Sequence, residues 1–216
     1  MFTKAISTTT TLLLLLLTGN SQAIPVHHHH DPIPVRQFEN SVRKLWEDHI
    51  RYTRSYLVNV TNACGGNDVI LERLLKNQEE IGNSIIPFYG EEAGLKLADL
   101  LKEHINKVGN IIELIQEDKD LEATIAIQML RVNGNEIATF LSAANPDQWP
   151  LETLQTMLTE HIDFTLNEVR AEIAEDTAGS IVAYDQIHDS TLSMADFISQ
   201  GIIKQFPDKF IKECFR

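Results

Sequence analysis

From Gln37 onward the apolar residues recur at steps of three and four, and five groups of helix breakers interrupt them. Such spacing puts one apolar stripe on one side of an α-helix, and there is little of the alternation that a half-buried strand requires. The breakers are Cys64-Gly65-Gly66-Asn67, Pro87 to Gly90, Glu117-Asp118, Asn145-Pro146 to Pro150, and Asp176 to Gly179. They predict six helices near 37–62, 68–86, 91–116, 120–143, 151–174 and 178–204. Short links between long helices favour antiparallel neighbours, so the fold class expected is an all-α antiparallel bundle over 37–216. The tail "QFPDKFIKECFR" reads as an irregular cap that folds Phe206 and Phe210 back on the bundle.

Within that pattern one word recurs. "EDHI", "KEHI" and "TEHI" place His49, His104 and His161 at steps of 55 and 57 residues. Each histidine lies mid-stripe in an odd-numbered helix: Val42, Trp46, His49, Thr53, Tyr56, Val60 in the first; Leu97, Leu101, His104, Val108, Ile111, Ile115 in the third; Leu154, Leu158, His161, Thr165, Glu168 in the fifth. The acidic residue before each histidine points about 100° away, toward solvent. The even helices carry a second repeat, "NQEEI" at 77–81 and "NGNEI" at 133–137, which supplies Asn77, Glu80, Asn133 and Glu136. Glu136 is assigned to an inward stripe Ile125, Met129, Val132, Glu136, Ala143. The sixth helix has Ser190 and Ser193 at the equivalent places and offers Asp185 and His188 instead, three apart on one face. The simplest account is three helical hairpins of about 56 residues, one unit repeated.

Burying a polar ring without a partner costs roughly 1–3 kcal/mol, so three inward histidines need partners or a ligand. Two readings follow. In the first, a transition metal is bound inside the bundle by His49, His104 and His161 with Glu136, Glu80, Asp185 or His188, supported by Asn77, Asn133, Thr53 and Thr165. Three histidines suit zinc or copper, and a mixed histidine–carboxylate set suits iron. In the second, the polar layer is purely structural, each histidine bonding a neighbouring Asn, Glu or Thr, and the chain is a secreted module that binds another protein. An enzyme acting at the same layer is a third. The chain has one sequence relative of a di-iron pair, "DQIH" at 185–188, and no HExxH, GxSxG, phosphate-binding glycine loop or GxGxxG.

The ends speak to compartment. Met1 to Lys4, the leucines Leu12 to Leu17 and small residues at Ser21 and Ala23 form a cleavable secretory signal over 1–23, which predicts export to the periplasm or the extracellular space. Residues 24–36 are a His/Pro-rich segment whose His27 to His30 tract reads either as linker or as metal scavenger. The formal charge of −13 becomes −14 once Lys4 is removed; such acidity opposes binding to nucleic acid or anionic membrane. Beyond the leader no run is long and apolar enough to enter a membrane. Cys64 and Cys214 are the only cysteines; an oxidising compartment allows one bridge between them, and the sequence alone does not show that the two are within reach. "FYGEEAG" at 88–94 reads as a hairpin link, Trp46 and Trp149 as core and loop anchors, and "NVT" at Asn59 as a glycosylation sequon.

The runs "LWEDHIRYTR", "RLLKNQEEIGNSIIPFYGEEAGLKLADLLKEHI", "NGNEIATFLSAANPDQW" and "MADFISQGIIKQFPDKF" resemble an uncharacterised family of bacterial all-helical proteins, over nearly all of the chain past Val35. The resemblance implies a helical bundle of bacterial origin, in which the sequon has no role. Some members are labelled acetylglutamate kinase or glycosyltransferase; either activity needs a nucleotide-binding α/β core, and this sequence supplies no strands for one.

Overall fold

The computed structural model describes residues 32–211. The expected secretory leader over 1–23 and the His27 to His30 tract lie outside the described residues, as does Cys214. A two-residue strand β1 (Ile33–Pro34) leads into α1 (Val35–Thr61), followed by α2 (Asn67–Tyr89), α3 (Glu91–Gln116), α4 (Asp120–Ala144), α5 (Leu151–Ile173) and α6 (Thr177–Gln205). A short 3-10 turn (Pro207–Lys209) and β2 (Phe210–Ile211) close the chain. The architecture is the all-α bundle of six helices that the periodicity predicts. Helix α2 runs to Tyr89, past the expected end at 86, because Pro87 stands in its last turn. The carbonyl that Pro87 cannot satisfy belongs to exposed Asn83, where water can replace the bond.

Consecutive helices pack side by side, and α6 returns against α1, so the six form a closed ring. Helices α1, α3 and α5 also touch one another across the inside. The odd helices are thus the inner trio, and α2, α4 and α6 fill the grooves between them. Every nominated stripe residue on α3 from Leu97 to Ile111 is buried, as is every one on α5, and on α1 only Thr53 and Val60 are partly open. Apolar burial of this kind contributes about 25 cal/mol per Å² and is what holds helices of otherwise modest intrinsic stability.

The repeat extends to the turns. Ala63, Asp118 and Glu175 each follow a histidine by fourteen residues, and they are the only non-glycine residues with positive φ among those described, at 52°, 56° and 57°. At each, the next residue's N–H reaches back five positions, Cys64 to Asn59, Lys119 to Leu114 and Asp176 to Ala171. This is the Schellman closure of a helix C-terminus, here built without glycine at a cost of about 1–2 kcal/mol each. The three hairpins share the position of their histidine, the position of their turn and their cap geometry.

On α4 the structure corrects the sequence. Ile125, Met129 and Val132 face solvent, 57%, 49% and 49% exposed, and Glu136 is exposed with them. The buried row is Ala123, Leu130, Asn133, Ile137 and Leu141. Two apolar rows compete on this helix, and the one with small residues wins the core: Gly134 lets α4 come so close to α5 that a Cβ there would lie 2.9 Å from Ile162 Cδ1. The same device draws α2 against α3, where a Cβ on Gly82 would lie 2.4 Å from the Gly94 carbonyl oxygen.

Cys64 is exposed just past the C-terminus of α1; its pairing with Cys214 lies outside the described residues. At the strand end Phe38, Phe88, Phe206 and Phe210 stack on one another, with ring centroids 5.1 to 5.7 Å apart, so the tail does cap the bundle.

Candidate functional site

His49, His104 and His161 are all buried and meet inside the inner trio. The ring of His161 is 5.8 Å from that of His49 and 6.0 Å from that of His104, centroid to centroid. They lie between two hydrophobic clusters. One holds Val42, Trp46, Leu97, Leu101, Leu154 and Leu158, each N-terminal to a histidine; the other holds Tyr56, Leu57, Val108, Ile112, Leu166 and Val169, each C-terminal to one. The histidines are therefore a polar layer that divides the core in two.

The outer helices supply their partners. Asn133 on α4 donates through Nδ2 to the Leu100 carbonyl (3.1 Å), and its Oδ1 lies 2.9 Å from His104 Nδ1. An amide oxygen only accepts, so Nδ1 of His104 carries the proton and Nε2 the lone pair. Asn77 on α2 donates in the same way to the Leu45 carbonyl (3.0 Å). Leu45 and Leu100 both stand four residues before a histidine, so each asparagine ties an outer helix to one fixed turn of an inner one. In the third hairpin Thr191 takes the place of the asparagine, its hydroxyl 3.2 Å from His161 Nδ1.

The first hairpin breaks the pattern. Asn77 Oδ1 accepts from Gln78 Nε2 (3.2 Å), which also donates to the Leu74 carbonyl. Gln78 follows Asn77 where Gly134 follows Asn133, and its bulk stands beside His49. Its proximity favours the protonated form of His49, yet neither His49 Nδ1 nor Gln78 Oε1 completes a hydrogen bond. All three rings are held neutral. Burial pushes His49 down to about 3, with the positive charge of a protonated His104 adding to the effect. Burial lowers His104 against the pull of Asn133, and lowers His161 well below its usual range with both other histidines contributing.

The nominated carboxylates are elsewhere. Glu80 pairs with Arg73 at 3.2 Å on the outer face of α2 and is a third exposed. Glu136 and Asp185 are exposed, and His188 lies at the surface 3.6 Å from Asp189. Ser190 and Ser193 bond their own helix, to the Ile187 and Asp189 carbonyls. Thr53 and Thr165 stand near the layer, but each hydroxyl donates to the carbonyl of the histidine four residues earlier, at 2.8 Å in both cases. Among the described residues no group of three or more His, Cys, Asp or Glu side chains is placed to hold a metal ion.

The buried carboxylate that the stripe contains without a nominated role is Glu168, two turns past His161 and 2% exposed. Arg54 of α1 donates to it, and to Ser180 at 3.1 Å, while stacking on Tyr184. Burial raises Glu168 to about 7 although the guanidinium opposes the shift. This pair joins α1, α5 and α6 beyond the layer. Its sequence signal is an acid on an otherwise inward row, which demands an inward-reaching cation.

The fold and the site define an all-α bundle with a buried histidine layer buttressed from outside by Asn and Thr. Compared with family models, curated proteins and solved structures, the chain matches none. Among the described residues no helix is long and apolar enough to cross a membrane.

Proposed function

We propose that the chain is an exported protein-interaction module whose histidine layer is structural. One observation carries this reading: His104 and His161 are paired with Asn133 and Thr191, Asn77 and Asn133 are bonded to the Leu45 and Leu100 carbonyls, and the carboxylates a mixed metal centre would need face outward. A polar pair at a fixed helix turn specifies register, since a slip by one turn leaves buried groups unpaired at about 1–3 kcal/mol each. The layer sets which hairpin meets which, and binding is left to the surface.

A second reading draws on a different observation. His49 Nδ1 and Gln78 Oε1 are buried without partners, and the three rings are neutral, the form in which imidazole takes a transition metal such as zinc, copper or iron. Linkage separates the two. A metal held only by the folded chain stabilises it by about 2.7 kcal/mol at a hundredfold excess over Kd. Under the structural reading, thermal melts of protein lacking the His27 to His30 tract superimpose with chelator, with zinc and with copper. A chelator that lowers the melting temperature, with the effect lost in His104→Ala, would overturn it in favour of the metal.

A further inference from the structure

We propose that the outer face of α4, with the groove it forms against α3, docks a basic amphipathic helix of another protein. The inference rests on the interaction-module reading and names its surface and the chemistry of its partner.

The repeat provides the comparison. Leu121, Ile125, Met129 and Val132 form one exposed stripe over about three turns, 71%, 57%, 49% and 49% exposed. Positions 125, 129 and 132 correspond to Val69, Arg73 and Lys76 on α2, and to Val182, Gln186 and Asp189 on α6. The same outward row is thus largely polar on two of the outer helices and wholly apolar on the third. The fold does not require it, because α2 and α6 occupy the equivalent places without it. Contiguous exposed apolar surface of this kind marks a contact site. Beside the stripe the α3–α4 seam opens into two shallow grooves of about 390 and 690 Å³, floored by Leu114 and Ala126 in one and by Leu100 and Phe140 in the other.

Charge selects the occupant. The cations around the stripe are already tied: Arg131 to Asp163 at 2.5 Å, Lys107 to Glu103 at 3.1 Å and Lys119 to Glu117 at 2.6 Å. Asp118, Asp120, Glu122 and Glu136 have no ion pair among the described residues, against Lys96 as a cation without one. A second copy of this chain would bring the same acids face to face. A helix with an apolar stripe and Lys or Arg on its flanks meets both features, in the helix-in-groove mode.

The test uses three synthetic 18-residue helical peptides: one with leucines at i, i+3, i+4 and i+7 flanked by lysines, one with glutamates as flanks, and one with serines replacing the leucines. Fluorescence anisotropy should show the lysine-flanked peptide bound, more weakly at high salt, and the other two at least tenfold weaker. Ile125→Asp and Met129→Asp should each weaken the lysine-flanked peptide at least tenfold, and Val69→Asp should leave it unchanged. The substitutions add negative charge, so general attraction to an acidic protein would tighten binding; tighter or unchanged binding overturns the proposal. Preference for the glutamate-flanked peptide, or a dimer that Met129→Asp dissolves in ultracentrifugation, overturns the basic partner while leaving an interaction module. Failure of all three peptides to bind also overturns it, whereas the structural reading of the histidine layer falls only with the chelator melts.

Discussion

Lowering the pH from 7 to 5 should destabilise the bundle, well above the range in which carboxylates alone unfold proteins. The cause is the layer. In the unfolded chain each histidine titrates near 6.5, and in the folded chain His49 does so near 3 with His104 and His161 also displaced downward. Between those values the unfolded state binds protons that the folded state refuses, so stability falls as the pH falls. A histidine held neutral as His49 is costs about 1.4 kcal/mol per pH unit below 6.5, and His104 and His161 act in the same direction. Glu168 works the other way. Its pKa is raised from 4.5 to about 7, so the folded state holds a proton that the unfolded state has lost, and acid stabilises across that window. Its single proton offsets about one histidine, so the net effect of the four groups is a loss of stability as the pH falls. Urea melts at pH 7 and pH 5 read the difference directly, and equal midpoints with equal slopes would show that the histidines are not held neutral.

Trp149→Ala should cost about 3–5 kcal/mol, the range for emptying a fully buried aromatic site. Trp149 stands in the link between α4 and α5 and is completely buried. Its backbone N–H donates to the Asn145 carbonyl at 2.8 Å, and Asn145 Nδ2 donates to the Gly201 carbonyl of α6 at 3.0 Å. The indole lies against Gly201, where a Cβ would stand 2.0 Å from Nε1, and its ring centroid is 5.8 Å from that of Tyr89. One side chain thus joins the second, fourth and sixth helices at the strand end of the bundle. Gly201→Ala should destabilise as well, through collision with a rigid ring rather than loss of one. Guanidinium unfolding of both variants checks the pair; a cost below 1 kcal/mol for either would mean that the link packs differently.

Most of this architecture is written in the spacing. The inward rows of α1, α3 and α5 are legible because each has a single apolar stripe, and the three histidines fall on it. The row on α4 is not, because Ile125, Met129 and Val132 have the same helical steps as the row that is buried; burial was decided by Gly134 and Asn133, through close approach and a specific hydrogen bond. Thr191 escapes for a different reason. The partner follows its histidine by 28 residues in the first hairpin, 29 in the second and 30 in the third, so counting by the repeat lands on Ser190. Glu80 shares its word with Glu136, and both point out because Asn77 and Asn133, each three positions earlier, take the inward place. Glu168 lies on the row in plain view, but its partner Arg54 sits off the α1 stripe and reaches inward along its side chain, which periodicity does not register.

The claim that the layer pins register rests on the bond between His104 and Asn133. A double-mutant cycle with His104→Ala, Asn133→Ala and the double variant, in urea at pH 7.5, measures it most directly. Each single variant should cost a few kcal/mol, since it leaves a buried partner unpaired, and the double should cost less than the sum by about 1–2 kcal/mol, with chelator making no difference. Additive losses, or a coupling that vanishes when metal is removed, would contradict the account.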